Sequence, residues 1–211
     1  MANYGPHGML GEQEQTRRYH ESLGEFVDAF SSVEGALFIA VSSVAKLTLP
    51  VARALLSGAR VDTANGLLRR LMLISETDQE RRKETDAVLT QLGHINDVRN
   101  QILHYGADPV PDKIDERISS NFLVALTDKH RKEIPVSPTL LNDMTADLRK
   151  IMAYLLINHG DFSARAHADT VRTFAHLLHA SWRYKPHQPK RQKPTRKKAA
   201  RQQSPRPSSS E

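Results

Sequence analysis

The sequence predicts an all-α fold: an antiparallel helical bundle with a small inserted β-hairpin and a disordered basic tail. Three observations predict it. Apolar residues recur at three- and four-residue steps through most of the chain, the mark of amphipathic helices. The breaks between these segments are short and carry Pro, Gly or capping residues, which favours antiparallel neighbours. Beyond Arg183 the composition shifts to Pro, Lys, Arg, Gln and Ser, with nothing left to pack.

At 211 residues and 39% hydrophobic the chain can bury one sizeable core. The expected organisation is a flexible arm over 1–12, a helical domain over 13–183 with a hairpin near 117–137, and a tail over 184–211. The chain has no cysteine, which excludes disulfides, zinc fingers and thiol nucleophiles and fits a reducing compartment. Met1–Gly11 lacks the apolar stretch of a secretory signal. Phe38–Val44 is soon interrupted by Ser42, Ser43 and Lys46, so no bilayer-spanning run is expected. The expected location is cytoplasmic, with no membrane partner. The formal charge of +6 divides unevenly: residues 183–211 hold ten Lys/Arg and one acid, hence +9, and residues 1–182 hold 20 Lys/Arg and 23 Asp/Glu, hence −3.

Gln13 to Lys46 reads as a helix, with Leu23, Phe26, Val27, Phe30, Val33, Leu37, Phe38, Val41 and Val44 on its apolar side. Glu34 falls among those residues on a helical wheel. Leu49-Pro50 breaks the pattern, and Val51–Leu56 makes a short helix ended by Gly58. Asp62 is the expected N-cap of a helix through Ser75, with Leu67, Leu68, Leu71 and Met72 inward. Thr77 or Asp78 then opens a long helix, Gln79 to Tyr105. After Pro109 and Pro111 the period changes. Ile118–Thr127 and Glu133–Val136 read as two strands joined by a turn over 128–132. Ser137-Pro138 opens a helix that ends near Gly160, with Leu141, Met144, Leu148, Ile151 and Leu155 at helical spacing. A last helix spans Ala166 to Trp182.

The chemistry concentrates at the end of the long helix, in Asn96-Asp97-Val98-Arg99-Asn100-Gln101-Ile102-Leu103-His104-Tyr105-Gly106. On the wheel Arg99 lies amid Val88, Leu92, Ile95, Ile102 and Leu103. Asn96, Asn100 and His104 form a polar strip beside them. Gly106 supplies the C′ residue, and Pro109 prevents the helix resuming. A guanidinium on a core-facing stripe needs a partner. Glu34 is the other charge on an apolar face, so the two are expected to meet as a buried ion pair.

Arg99-Asn100-Gln101-Ile102-Leu103-His104 resembles the Arg-x4-x6-His motif of the HEPN superfamily, all-α domains of prokaryotic toxin and defence systems and of some eukaryotic ribonucleases. The order of helices over residues 16–160 is similar in character. The resemblance implies a homodimer that cleaves RNA without a metal or other cofactor, by attack of the ribose 2′-hydroxyl on the adjacent phosphate. His104 would be the general acid or base, and Arg99 would hold the phosphate. Asn100 would orient one of them, with Glu34, Asn96 and Tyr105 in support. It also implies a place in a toxin–antitoxin or defence system, with a cognate antitoxin as a partner. The toxin branch silenced by nucleotidyl transfer carries a tyrosine two residues after the histidine. Here Tyr105 follows His104 directly and Gly106 takes the second place.

The competing reading is structural. A histidine in the last turn is favoured by the helix dipole alone. A Glu34–Arg99 pair would then be a fixture of a non-catalytic, HEPN-like interaction or nucleic-acid-binding module. His176 and His179 lack a third metal ligand at a firm spacing, so no metal site is expected. The tail residues Lys190, Arg191, Lys193, Arg196, Lys197 and Lys198 would attract a polyanion such as RNA, with affinity falling as salt rises.

Overall fold

A computed structural model describes residues 6–186 except 112, 114, 128 and 129, and of residues 6–12 it describes the backbone alone. The described residues are mostly helical: six helices and one small antiparallel sheet. The helices are α1 (Pro6–Val44), α2 (Leu49–Leu56), α3 (Val61–Ser75), α4 (Gln79–Tyr105), α5 (Pro138–His159) and α6 (Ala164–Leu178). The strands are β1 (Asp108–Pro109), β2 (Arg117–Ser120) and β3 (Glu133–Val136).

The core forms where α1 lies against α5 and α3, with α4 against both of those helices. Phe26, Phe30, Val33, Leu37 and Val41 of α1 are sealed from water, as are Leu141, Met144, Leu148, Ile151 and Leu155 of α5. Burying such side chains contributes roughly 1.5–3 kcal/mol each. By length and composition α1 could also cross a membrane: residues Gln13–Val44 contain a window of mean hydropathy 1.4. A buried core helix passes the same test of length and composition. Its apolar face here forms the centre of the bundle.

Polar bonds fix the register of the neighbours. Asp62, Asn65 and Arg69 of α3 meet Asn96, Leu89 and Asp86 of α4, a descending order that makes this pair antiparallel. Thr85 and Gln91 of α4 meet Tyr154 and Asp147 of α5 in the same sense. Asp78 caps α4 by accepting from the Glu80 and Arg81 amides, and Ser137 caps α5 with Pro138 at the first position. Asp62 is not the cap of α3. That place belongs to Arg60, and Asp62 lies inside the first turn, where a carboxylate still suits the helix dipole.

Other boundaries move for local reasons. α1 begins at Pro6, within the expected arm. The first hairpin strand stops at Ser120; residues 122–124 turn instead, held by Val124 and Ala125 amides bonding the Asn121 carbonyl. A third strand, β1, pairs Asp108 with Ile118 and Pro109 with Arg117, and β2 pairs with β3 from Arg117↔Val136 to Ser120↔Glu133. The sheet is pinned to α4: the buried Ser119 hydroxyl donates to the Gln101 carbonyl, and the Gln101 amide donates to the Lys132 carbonyl. α6 ends at Leu178, short of Trp182.

The folded body also runs past its expected end at 183. Asp147 is 1% exposed. Its carboxylate accepts from the Gln91 amide at 2.8 Å, the Arg183 N–H at 2.9 Å and the Tyr184 N–H at 3.0 Å. Tyr184 is itself buried. Among the described residues no cation pairs with this carboxylate, and hydrogen bonds hold it instead. Lys190, Arg191, Lys193, Arg196, Lys197 and Lys198 lie outside the described residues.

Two outcomes follow. Asp147→Ala strands two backbone donors and one of the two Gln91 amide hydrogens, the other staying on the Tyr184 carbonyl, and should lower unfolding stability by about 3 kcal/mol, read from a urea midpoint. The second concerns His159, whose Nε2 lies 3.1 Å from the buried Thr85 hydroxyl. Burial, then the charge of Arg81, lowers its pKa from 6.5 to about 4. Above pH 6.5 the ring is neutral in both states and stability is full. As pH falls from 6.5 towards 4 the unfolded chain gains a proton that the folded chain refuses, and at most about 3 kcal/mol is lost. His159→Gln should flatten that part of a stability–pH profile; an unchanged slope would contradict the assignment.

Candidate functional site

Residues from three helices and one loop enclose a cavity of about 240 Å³. Glu34 comes from α1, Gly58–Arg60 from the α2–α3 connection, Asp62 from the first turn of α3, and Asn96, Arg99 and Asn100 from α4. Gly58 makes the approach possible. It has φ +73°, a conformation that ends α2 and that side-chain-bearing residues avoid.

Arg99 is half-buried, and the expected ion pair with Glu34 does not form. Its guanidinium lies 5.0 Å from the centroid of the Phe30 ring, a cation–π contact. One Nη1–H donates to Asn100 Oδ1 at 3.1 Å. Among the described residues no carboxylate reaches Arg99, and its guanidinium lines the cavity with that single side-chain hydrogen bond. Glu34 is exposed at the cavity wall instead. The reason lies in the alanines. Ala29, Ala36 and Ala40 are all buried and carry the packed arc of α1 away from Glu34, so a wheel weighted by large side chains misplaces its centre.

Asn96 is 3% exposed and donates to Asp62 Oδ1 at 2.7 Å. It therefore ties α3 to α4 and fixes the Asp62 carboxylate. Asn100 is the partner of Arg99, as an orienting residue would be. His104 and Tyr105 lie outside this group. Both are exposed, with ring centroids 6.2 Å apart. α4 remains helical through Tyr105, and the Gly106 N–H bonds the Ile102 carbonyl at 2.8 Å. Five helical residues rotate by about 140°, so His104 points away from the side that carries Arg99. Leu103, expected inward, is 49% exposed at this overhanging end.

The structure thus joins Glu34, Asn96, Arg99 and Asn100 around one cavity and leaves His104 and Tyr105 outside it. Sequence reasoning missed Arg60 and the seat provided by Phe30, and read Asp62 only as a cap. Arg60 carries no periodic signal because it precedes its helix. Phe30 reads as one more core aromatic. Among the described residues no group of three His, Asp or Glu side chains is arranged to hold a metal ion.

No protein-family model matches the chain, and no characterised protein or solved structure is significantly similar to it.

The geometry makes opposite demands on two variants at the cavity. Glu34→Ala should leave unfolding stability within about 0.5 kcal/mol of the wild type, because the carboxylate is exposed and unpaired with Arg99. Asn96→Ala should cost about 1–2 kcal/mol, because it removes a buried donor that braces α3 on α4. Chemical denaturation of the two variants checks both; a larger loss for Glu34→Ala would restore the buried pair.

Proposed function

We propose that the protein is a HEPN-type, metal-independent endoribonuclease that works as a homodimer in the cytoplasm. The single observation that carries the reading is Arg99: a half-buried guanidinium, seated on Phe30 and hydrogen-bonded to Asn100, that lines a cavity and, among the described residues, is ion-paired to no carboxylate. A cation so held suits the developing charge of a phosphodiester undergoing attack. His104, at the end of the same helix, has the side chain suited to proton transfer near neutral pH. The overall fold, read on this proposal, is a HEPN-like bundle.

The rotation of about 140° between the two residues gives the dimer its role. One copy would supply Arg99 and Asn100, and the second would bring His104 to the same phosphate. Exposed Leu103 and Tyr105 flank His104 and give that contact apolar area. The reaction is transesterification. The 2′-hydroxyl loses its proton and attacks phosphorus, the P–O5′ bond breaks, and the 5′-oxygen takes a proton. The products carry a 2′,3′-cyclic phosphate and a free 5′-hydroxyl. The basic tail would concentrate RNA near the body, and a cognate antitoxin would be the partner expected of a toxin.

A second reading is favoured by the same rotation. In a single copy Arg99 and His104 do not converge, which suits a nucleic-acid-binding module without catalysis.

Purified protein incubated with mixed RNA in excess chelator should generate fragments ending in cyclic phosphate. His104→Ala should lower the rate by about 10²–10⁴-fold at unchanged thermal stability. Equal inactivity of wild type and variant, with RNA binding retained, would select the binding module.

A further inference from the structure

Arg99 is not the sole cation at the cavity. Arg60 lines the same space, at the N-cap of α3. Its side chain makes no capping bond, and among the described residues it has no carboxylate partner. No side chain caps α3 at that position, so backbone N–H groups of the first turn stay available beside Arg60. The cavity therefore gathers two guanidiniums and the positive end of a fifteen-residue helix.

We infer that Arg60 and Arg99 together seat consecutive phosphates of a single nucleic-acid strand, with Arg60 a binding residue one phosphate removed from the reacting one. The reading of the strand as RNA rests on the proposed ribonuclease activity; the seat itself does not. Size favours a strand lying across the cavity over an engulfed drug-sized ligand. A cavity of about 240 Å³ is smaller than the roughly 300–1,000 Å³ of sites that engulf a drug-sized ligand. Charge favours a strand over a free ion. Glu34 and Asp62 share the walls, so one small anion would meet as much repulsion as attraction. A strand can place its phosphates at the two guanidiniums and its uncharged sugars near the acids. Asn96 holds Asp62 in place, so the carboxylate cannot swing across to neutralise Arg60 without breaking a 2.7 Å bond.

The test uses the full chain and a labelled all-2′-deoxy oligonucleotide, which has the phosphates and lacks the attacking hydroxyl. Affinity is measured at several salt concentrations for the wild type, Arg60→Gln, Arg60→Lys and Arg165→Gln. The last removes an exposed cation on α6. All four proteins keep the basic tail, so differences report the body. Arg60→Gln should weaken binding about tenfold and reduce the salt slope by about one phosphate contact. Arg60→Lys should retain most of the affinity, and Arg165→Gln should match the wild type within about twofold. Equal losses for Arg60→Gln and Arg165→Gln would overturn the seat and leave only diffuse attraction. Cleavage of ribo-oligonucleotides is scored separately. Cleavage whose KM ignores Arg60→Gln would reject the seat and keep the ribonuclease. Arg60-dependent binding without cleavage would keep the seat and reject the ribonuclease.

Discussion

The guanidinium of Arg99 at the end of the apolar core constrains everything around it. A cation cannot be left facing packed side chains without compensation. Here the compensation is the face of Phe30 and the amide of Asn100, and the guanidinium lines a cavity. An aromatic face attracts a cation without cancelling its charge, whereas a carboxylate would cancel it. That difference separates a charge that fixes a fold from a charge that can meet a ligand.

The scaffold makes this arrangement rigid. α4 is anchored on both sides by polar bonds that fix its register: Asn96, Leu89 and Asp86 to α3, and Thr85 and Gln91 to α5. Its C-terminal turn is held by the sheet through Ser119 and Gln101. The strand pairing thus stabilises the segment between the cavity and His104. Asp147 does similar work at the other end, where it holds the Arg183 and Tyr184 backbone against the body. The chain that leads into the basic tail therefore departs from a fixed place.

The helices were legible in the sequence because their burial follows a 3.6-residue period and their ends carry standard chemistry. Asp78, Ser137-Pro138 and Gly106 stand where capping requires them. The failures have particular causes. A wheel puts Glu34 inward because Phe30, Leu37 and Val41 dominate it, while Ala29, Ala36 and Ala40 add little hydrophobicity yet define the packed arc. The residues after Ser120 have strand-like apolar content in Phe122, Leu123, Val124 and Leu126, but they have no strand to pair with and are exposed. β1 was hidden because two residues give no period. Of the site, Arg99, Asn100 and Asn96 could be found from their place on one helix. Arg60 and Phe30 become visible only when the α2–α3 connection and α1 are brought against α4, a tertiary fact that spacing does not encode.

The central claim is that Arg99 serves a ligand and not an internal acid. The side-chain Nε–H resonance of Arg99, followed by nuclear magnetic resonance in the full chain, tests it most directly. Addition of the all-2′-deoxy oligonucleotide should shift that resonance saturably, and Glu34→Ala should leave it where it was. A resonance that ignores the oligonucleotide and moves when Glu34 is removed would contradict the account.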